Sequence, residues 1–167
     1  MHDRLIKMGI AWLDIFCDLV IPEPYNNNVG EIPDIIGYKN GGRITYLIEC
    51  KSSRTDFENE WKKGKRIEYG GMGNYRYYLI PEGMVESQEI DTAWGILEFD
   101  GALINVIREP EIRQLSVEAT KWEKTILFYE LTRLIKISRA QNLKPGPAKD
   151  RLIQLAENIA RGIELLK

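Results

Sequence analysis

The pattern of hydrophobic and polar positions predicts a chain that opens with a helix and continues into strands. Apolar residues recur at three- and four-residue intervals over 5–16, which is the spacing of a helix with one buried face. Short β-prone runs follow at 18–22, 32–38 and 44–51, and an asparagine with two glycines separates the last two. The order predicts one helix followed by the first strands of a sheet.

The same pattern continues through the middle of the chain. A helix is predicted from Thr55, because Thr55 and Glu58 have the spacing of a capping box. After a glycine-rich break, the predicted elements are a strand at 75–80, a hairpin of 94–99 with 102–107 around Asp100-Gly101, and a long helix over 116–139. We therefore expect one α/β domain over residues 1–140, with a mixed sheet flanked by helices.

The C-terminal part of the chain is predicted to be a connector and a helix. Residues 142–147 contain two prolines and a glycine, and apolar residues recur at helical spacing over 152–166. We assign residues 141–167 to a connector and a final helix, which forms a C-terminal helical pair with the helix before it. This pair packs on the sheet or on a second copy of the chain, and the periodicity does not distinguish the two.

The composition limits the chemistry that the chain can perform. Of its 167 residues, 44 % are hydrophobic and 29 % are charged, as in an ordinary globular protein. His2 is the single histidine, at the expected frayed N-terminus, and Cys17 and Cys50 are the two cysteines. This argues against a Ser-His-Asp triad or a His/Cys zinc site, and leaves carboxylates, lysines and a hard metal ion. The low cysteine content favours the cytoplasm, and no apolar run reaches the roughly 18 residues that a membrane span needs.

Charge is distributed unevenly along the chain, although the formal net charge is only −2. Residues 51–66 carry six basic and three acidic residues, and residues 133–151 carry six basic and one acidic residue. Residues 82–118 carry nine acidic and two basic residues. The two basic zones either orient the chain on nucleic acid or are solvated helix faces, and charge alone does not decide between them.

Asp34, Glu49 and Lys51 are predicted to converge at one end of a hairpin. If Gly41-Gly42 form the loop, Asp34 lies directly opposite Glu49, and directly opposed residues hold their Cβ atoms about 4.5–5.5 Å apart. If Asn40-Gly41 form the turn, Glu49 becomes a diagonal neighbour at about 7–8 Å. The two acids share a face in either register, and Lys51, two residues beyond Glu49, points to the same face.

Two opposed carboxylates repel each other unless a positive group lies between them. Mg²⁺ takes oxygen ligands and needs only one or two protein carboxylates, so Asp34, Glu49 and the backbone carbonyl of Cys50 are candidate metal ligands. Lys51 is placed to orient an attacking water or to hold a phosphate. The alternative is a salt bridge between Lys51 and one acid, with the other acid solvated.

These residues match a known family of nucleases. Pro33-Asp34, a gap of fourteen residues and Glu49-Cys50-Lys51 resemble the PD-(D/E)xK superfamily, which has the restriction-endonuclease-like fold. The run 49–57, read as E-C-K-S-S-R-T-D-F, is similar to the MmcB-like DNA-repair branch of that superfamily. The resemblance covers roughly residues 5–138.

The resemblance implies a Mg²⁺-dependent deoxyribonuclease, with Mn²⁺ as a possible substitute, that acts in repair, recombination or mobile-element defence. Asp34 and Glu49 are then catalytic residues that bind the ion, and Lys51 assists. Arg54 and Asp56 are carried over together as residues near the site, although a helix N-terminal acid is at least as good an interpretation of Asp56. Glu31 is an extra ligand or a loop residue.

DNA contacts are expected from basic residues that follow the motif on the predicted helix, since lysines and arginines neutralise phosphates without reading sequence. These nucleic-acid-binding candidates are Arg54, Lys62, Lys63 and Lys65. A non-cleaving nucleic-acid-binding protein or an interaction module on the same fold is the alternative. A homodimer or a partner protein is compatible with the acidic total.

Overall fold

In a computed structural model that describes residues 1–24, 31–62 and 71–140, the chain forms one mixed sheet with helices on both faces. The helices are α1 (His2–Asp14), α2 (Arg54–Lys62) and α3 (Val117–Ala140). The strands are β1 (Leu19–Pro22), β2 (Ile35–Lys39), β3 (Ile44–Cys50), β4 (Tyr75–Pro81), β5 (Gly95–Phe99) and β6 (Ile104–Arg108). The predicted mixed sheet flanked by helices is confirmed.

The six described strands lie in the sheet in their chain order. β1, β2 and β3 are antiparallel neighbours, β3, β4 and β5 are parallel neighbours, and β6 returns antiparallel to β5. β3 therefore lies inside the sheet, with an antiparallel partner on one side and a parallel partner on the other. The backbone at the C-terminal end of β3 is therefore fixed by β2 on one side and by β4 on the other.

Helix α1 covers one face of the sheet, where Leu5 and Leu13 share a buried cluster with Ile35 and Ile48. Gly9 allows the close approach, because a Cβ at this position would lie 2.5 Å from the Ile35 Cδ1 atom. The amphipathic spacing therefore predicted the buried face of this helix, which begins at His2 and ends at Asp14 where the spacing predicted 5–16.

Two helices share the opposite face. α3 buries Leu127 and Leu131 against Ile36 and Leu47. α2 buries Phe57 in a second cluster around Tyr78, Ile80 and Ile96. Glu49 lies on this face between the two clusters. Its neighbour Leu47 belongs to the α3 cluster, and Tyr78, its partner on β4, belongs to the α2 cluster.

The β2–β3 hairpin combines the two alternatives that the sequence left open. Asn40 and Gly41 both have positive φ, and the Gly42 N–H donates to the Lys39 carbonyl, which makes Asn40-Gly41 the turn. The strands nevertheless pair with Ile35 opposite Ile48, which is the register predicted for a Gly41-Gly42 loop. Gly42 and Arg43 after the turn shift the pairing by two residues, so that continuing the register by one position past Ile35 puts Asp34 opposite Glu49.

Two local predictions were wrong. The cap of α2 is Ser53 and not Thr55, since the Ser53 Oγ accepts the Asp56 N–H at 3.2 Å and α2 begins at Arg54. The loop between β5 and β6 has four residues, because Asp100 and Leu103 bond across it and β6 begins at Ile104. The predicted connector and final helix at 141–167 lie outside the described residues.

A buried carboxylate attaches α3 to the sheet. Glu123 accepts the Gly73 N–H at 2.7 Å and the Thr45 hydroxyl at 2.9 Å, and its backbone carbonyl accepts the Tyr38 hydroxyl at 2.8 Å. Burial raises the pKa of Glu123 to about 7, although these donors to its carboxylate act in the opposite direction. The folded state therefore favours the protonated side chain.

We expect the free energy of unfolding to fall as pH rises from about 4.5 to above 7, because the folded chain binds a proton there that the unfolded chain has released. Glu123→Gln keeps an acceptor for both donors and removes this slope, which makes the variant more stable than the parent by about 3 kcal/mol at pH 8. Urea denaturation at pH 5 and pH 8 measures the difference. Glu111→Gln, at an exposed position, is the matched control, and equal slopes in all three proteins would contradict the assignment.

Candidate active site

Glu49 and Lys51 form an ion pair at the C-terminal end of β3. The Lys51 Nζ lies 3.6 Å from the Glu49 Oε2, and each side chain keeps 12 % of its surface exposed. The predicted shared face of these two residues is confirmed. An ion pair this enclosed is held in place more firmly than a surface pair, while solvent and solutes still reach it.

Asp34 is positioned by the backbone of the same strand end. Its Oδ2 accepts the Cys50 N–H at 2.7 Å, and its side chain is a quarter exposed. β2 begins at Ile35, opposite Ile48, and continuing this register backward puts Asp34 opposite Glu49 and Pro33 opposite Cys50. Proline has no N–H to donate, so the carbonyl of Cys50 receives no ladder bond from Pro33, while the Asp34 carboxylate takes the neighbouring N–H.

Cys50 lies among these three groups, but its thiol points into the core on the α1 side. Burial raises the pKa of this thiol well above its usual range, the charges of Asp34 and Glu49 raise it further, and Lys51 lowers it. The thiol is therefore neutral, and only the backbone carbonyl of Cys50 can serve as a ligand for a hard cation.

His2 lies closer to this site than the sequence indicated. The expectation of a frayed N-terminus was wrong, because α1 begins at His2 and the His2 Nε2 lies 4.0 Å from the Asp34 Oδ1. The helix crosses the sheet so that its first residue reaches the end of β3. Nothing in the spacing of residues 2 and 34 indicates this contact.

Of the two interpretations of Glu31, the structure favours the one in which it is not a ligand. Its Oε1 forms a buried ion pair with Arg76, and its Oε2 accepts the Met72 N–H at 2.7 Å. Both oxygens are thus engaged away from Asp34. A guanidinium buried in the sheet requires a carboxylate nearby, and Glu31 meets that requirement.

Arg76 is the residue of this region that the sequence analysis missed. It is almost completely buried on β4 next to Leu47, and burial lowers its pKa while the charges of Glu31 and Glu49 raise it. Its guanidinium lies 4.1 Å from the centroid of the Trp94 ring. A charged residue inside an otherwise apolar and aromatic strand was the available signal.

A loop before β5 supports this stack. Trp94 also stacks on Tyr78, with ring centroids 4.2 Å apart. Arg108 binds the loop from β6, where its guanidinium donates to the backbone carbonyls of Ser87, Ile90, Asp91 and Trp94. Arg108 therefore positions Trp94, the ring that stacks between Arg76 and Tyr78.

Arg54 and Asp56, the two residues that the resemblance places near the site, have different partners. Arg54 donates to Glu58 at 2.8 Å and to both oxygens of Glu89. Asp56 instead accepts the Ser52 N–H at 3.2 Å, which is the helix N-terminal role. Among the other predicted DNA contacts, Lys62 ends α2 with a side chain outside the described part, and Lys63 and Lys65 lie outside the described residues.

Within residues 1–24, 31–62 and 71–140, no cluster of three or more histidine, cysteine, aspartate or glutamate side chains is arranged to hold a metal ion. A cation at the end of β3 would therefore depend on two carboxylates together with backbone oxygen and water. None of the helices in the same ranges is long and apolar enough to cross a bilayer.

Comparison with known proteins shows a shared fold. No protein-family model and no curated protein matches the sequence. Among solved structures, the chain is similar to the SPO1766 protein of unknown function from Silicibacter pomeroyi, with a TM-score of 0.63 and 19 % sequence identity. The match covers 86 % of this chain and 94 % of that one.

We expect Arg76→Met to destabilise the fold by about 3–5 kcal/mol, because it leaves Glu31 buried without its counter-charge. The double variant Glu31→Leu/Arg76→Met should lose less than the sum of the two single variants, since it removes both charges together. Chemical denaturation of the four proteins measures the coupling. Arg133→Met breaks the surface pair with Glu130 and should cost less than about 1 kcal/mol. Additive losses in the buried pair would contradict this account.

Proposed function

We propose that this chain is a Mg²⁺-dependent DNA nuclease that hydrolyses phosphodiester bonds and belongs with the PD-(D/E)xK enzymes. The observation that supports the proposal is the juxtaposition of Asp34, Glu49 and Lys51 around Cys50 at the end of an interior strand. Repair, recombination and mobile-element defence are the processes that such an activity would serve.

The donor atoms at this strand end fit a hard divalent cation. The carboxylates of Asp34 and Glu49, with the carbonyl that Pro33 leaves without a ladder donor, are all oxygen ligands suited to Mg²⁺ or Mn²⁺. Two carboxylates are sufficient, because Mg²⁺ keeps several of its waters. When bound, the ion would lower the pKa of a coordinated water and offset the charge that develops on the phosphate.

The residues of the chain have separate roles in this proposal. The Cys50 N–H fixes one oxygen of Asp34, which orients the carboxylate toward the strand end. Lys51 neutralises Glu49 in the free protein, and its ammonium group is placed to hold a phosphate or to orient the attacking water. Glu31 has a structural role, because it compensates the buried charge of Arg76 on β4, the strand next to β3.

A non-cleaving nucleic-acid-binding protein or interaction module on the same fold is the second candidate. The contacts of Arg54 favour it, because Glu58 and Glu89 already neutralise a cation that a nuclease would use on DNA. For either function we place the protein in the cytoplasm, since Cys17 and Cys50 are free thiols, as expected in a reducing compartment.

We expect purified protein to cut at least one of nicked, branched, single-stranded and duplex DNA in Mg²⁺ or Mn²⁺ and not in EDTA. Lys51→Ala and Asp34→Asn should each lower the rate by at least about 100-fold, because the first removes the cation beside the phosphate and the second removes the charge of a metal ligand. Lys121→Ala, at an exposed position on α3, is the control and should keep full activity. Cutting that survives both site substitutions would identify a contaminant, and DNA binding without cutting would favour the second candidate.

Metal binding can be measured without any DNA substrate. A ligand that binds only the folded state raises its stability, so saturating Mg²⁺ should raise the Tm by about 5 °C. Glu49→Gln keeps the side-chain shape and should abolish this increase, whereas Glu118→Gln on α3 should not. Differential scanning calorimetry measures both effects. An undiminished increase in Glu49→Gln would place the ion elsewhere.

A further inference from the structure

β6 is an unprotected edge of the described sheet. β1 forms the opposite edge, but it has only four residues and ends at Pro22. Proteins usually protect such edges with prolines, lysines or very short strands, because unpaired backbone groups there can bind another strand. The run from Gly101 to Ile107 contains no proline and no charged residue.

The backbone of β6 presents hydrogen-bonding groups outward at defined positions. The Asp100 N–H donates to the Leu103 carbonyl across the hairpin, so Leu103 faces β5 with its main-chain groups. Bonding alternates along an antiparallel pair, and the register sets Asn105 opposite Glu98. Asn105 therefore bonds inward, and the N–H and carbonyl groups of Ile104 and Val106 point away from the sheet.

The side chains on this edge are apolar and exposed. Leu103 has 66 % of its surface exposed, Val106 has 44 % and Ile107 has 49 %. A β-bulge at Ile107 interrupts the ladder, since Ile96 pairs with Arg108 and Leu97 with Val106. Ile104 to Val106 is the straight part of the edge, which leaves room for a short added strand.

Acidic residues outnumber basic ones along the segment that forms the edge, although Arg4 of α1 donates to the Gly101 carbonyl at one end of it. Residues 98–111 carry Glu98, Asp100, Glu109 and Glu111 against Arg108 alone, and Arg108 is occupied with backbone carbonyls. The whole zone 82–118 has nine acidic and two basic residues. A second copy of the chain would bring two such zones together, so charge favours a basic occupant.

From the outward backbone groups, the exposed apolar side chains and the acidic surroundings, we propose that β6 is a docking strand. Its occupant is an extended segment of a partner protein with alternating basic and apolar residues, which adds to the sheet as a seventh strand. The proposal is independent of the nuclease function, because none of its residues lies at the end of β3, three strands away.

The probe for the test is a fluorescein-labelled peptide of alternating lysine and valine, compared with a peptide in which glutamate replaces lysine. The basic peptide should bind with at least about tenfold higher affinity, and its binding should weaken with salt. Its binding should slow hydrogen exchange at the Ile104 and Val106 amides and not at Asn105. Equal binding of both peptides, or protection elsewhere, would overturn the proposal.

Two variants test the edge itself. Val106→Pro removes an outward N–H without removing a ladder bond, and should weaken peptide binding about tenfold or more. Val106→Thr keeps the N–H and is the matched control. If Val106→Pro does not fold, Val106→Lys keeps the N–H, adds a like charge and should also weaken binding. Unchanged binding in the folded variants, or a dimer through β6 in sedimentation, would refute the basic partner. DNA cleavage is measured separately, so loss of one property does not imply loss of the other.

Discussion

The antiparallel register between β2 and β3 determines where every group of the candidate site lies. β3 continues past the point at which β2 ends, so Pro33 and Asp34 face Cys50 and Glu49 just where ladder pairing stops. Pro33 has no N–H to donate to the Cys50 carbonyl, and the Cys50 N–H donates to the Asp34 side chain and not to a backbone carbonyl. A one-residue slip would turn Glu49 toward the α1 core and bring Cys50 to the other face. The site is therefore a consequence of how the hairpin closes.

Buried or half-buried acids lie close together around this register, and each is stabilised differently. Glu31 has a guanidinium counter-charge, Glu49 has an ammonium group at 3.6 Å, and Asp34 accepts a backbone N–H. Glu123 accepts bonds from neutral donors, and burial outweighs them and raises its pKa to about 7. An ionised carboxylate in a low-dielectric interior requires a positive partner. Glu31 and Glu49 have such a partner, whereas the bonds described for the Glu123 carboxylate come from neutral groups.

The order of the described elements and the convergence at β3 could be predicted, because both follow from local periods in the sequence. The period of two places Glu49 and Lys51 on one face, and hairpin pairing brings Asp34 to them in either register.

The contact of Arg76 with Glu31 could not be predicted, since these residues are 45 positions apart and meet only through the parallel packing of β4 on β3. The same applies to His2 and Asp34, which are brought together by the angle at which α1 crosses the sheet. Ser53 displaced Thr55 as the cap because both residues can cap a helix and the tertiary position of α2 selects between them.

The charge distribution connects the two proposals. Of the described cations near the site, Arg54 is bound to two glutamates and Lys51 to Glu49, and the net charge of the chain is only −2, so these described groups attract a polyanion weakly. The acidic edge at β6 adds a repulsive field in the same sheet. A basic strand bound at β6 would neutralise that field and bring new positive charge to within three strands of Lys51. Coulomb attraction falls slowly over such distances at low ionic strength, so the partner would act on nucleic-acid affinity without touching the carboxylates. On this account the site supplies the chemistry, and the partner supplies much of the attraction for the substrate.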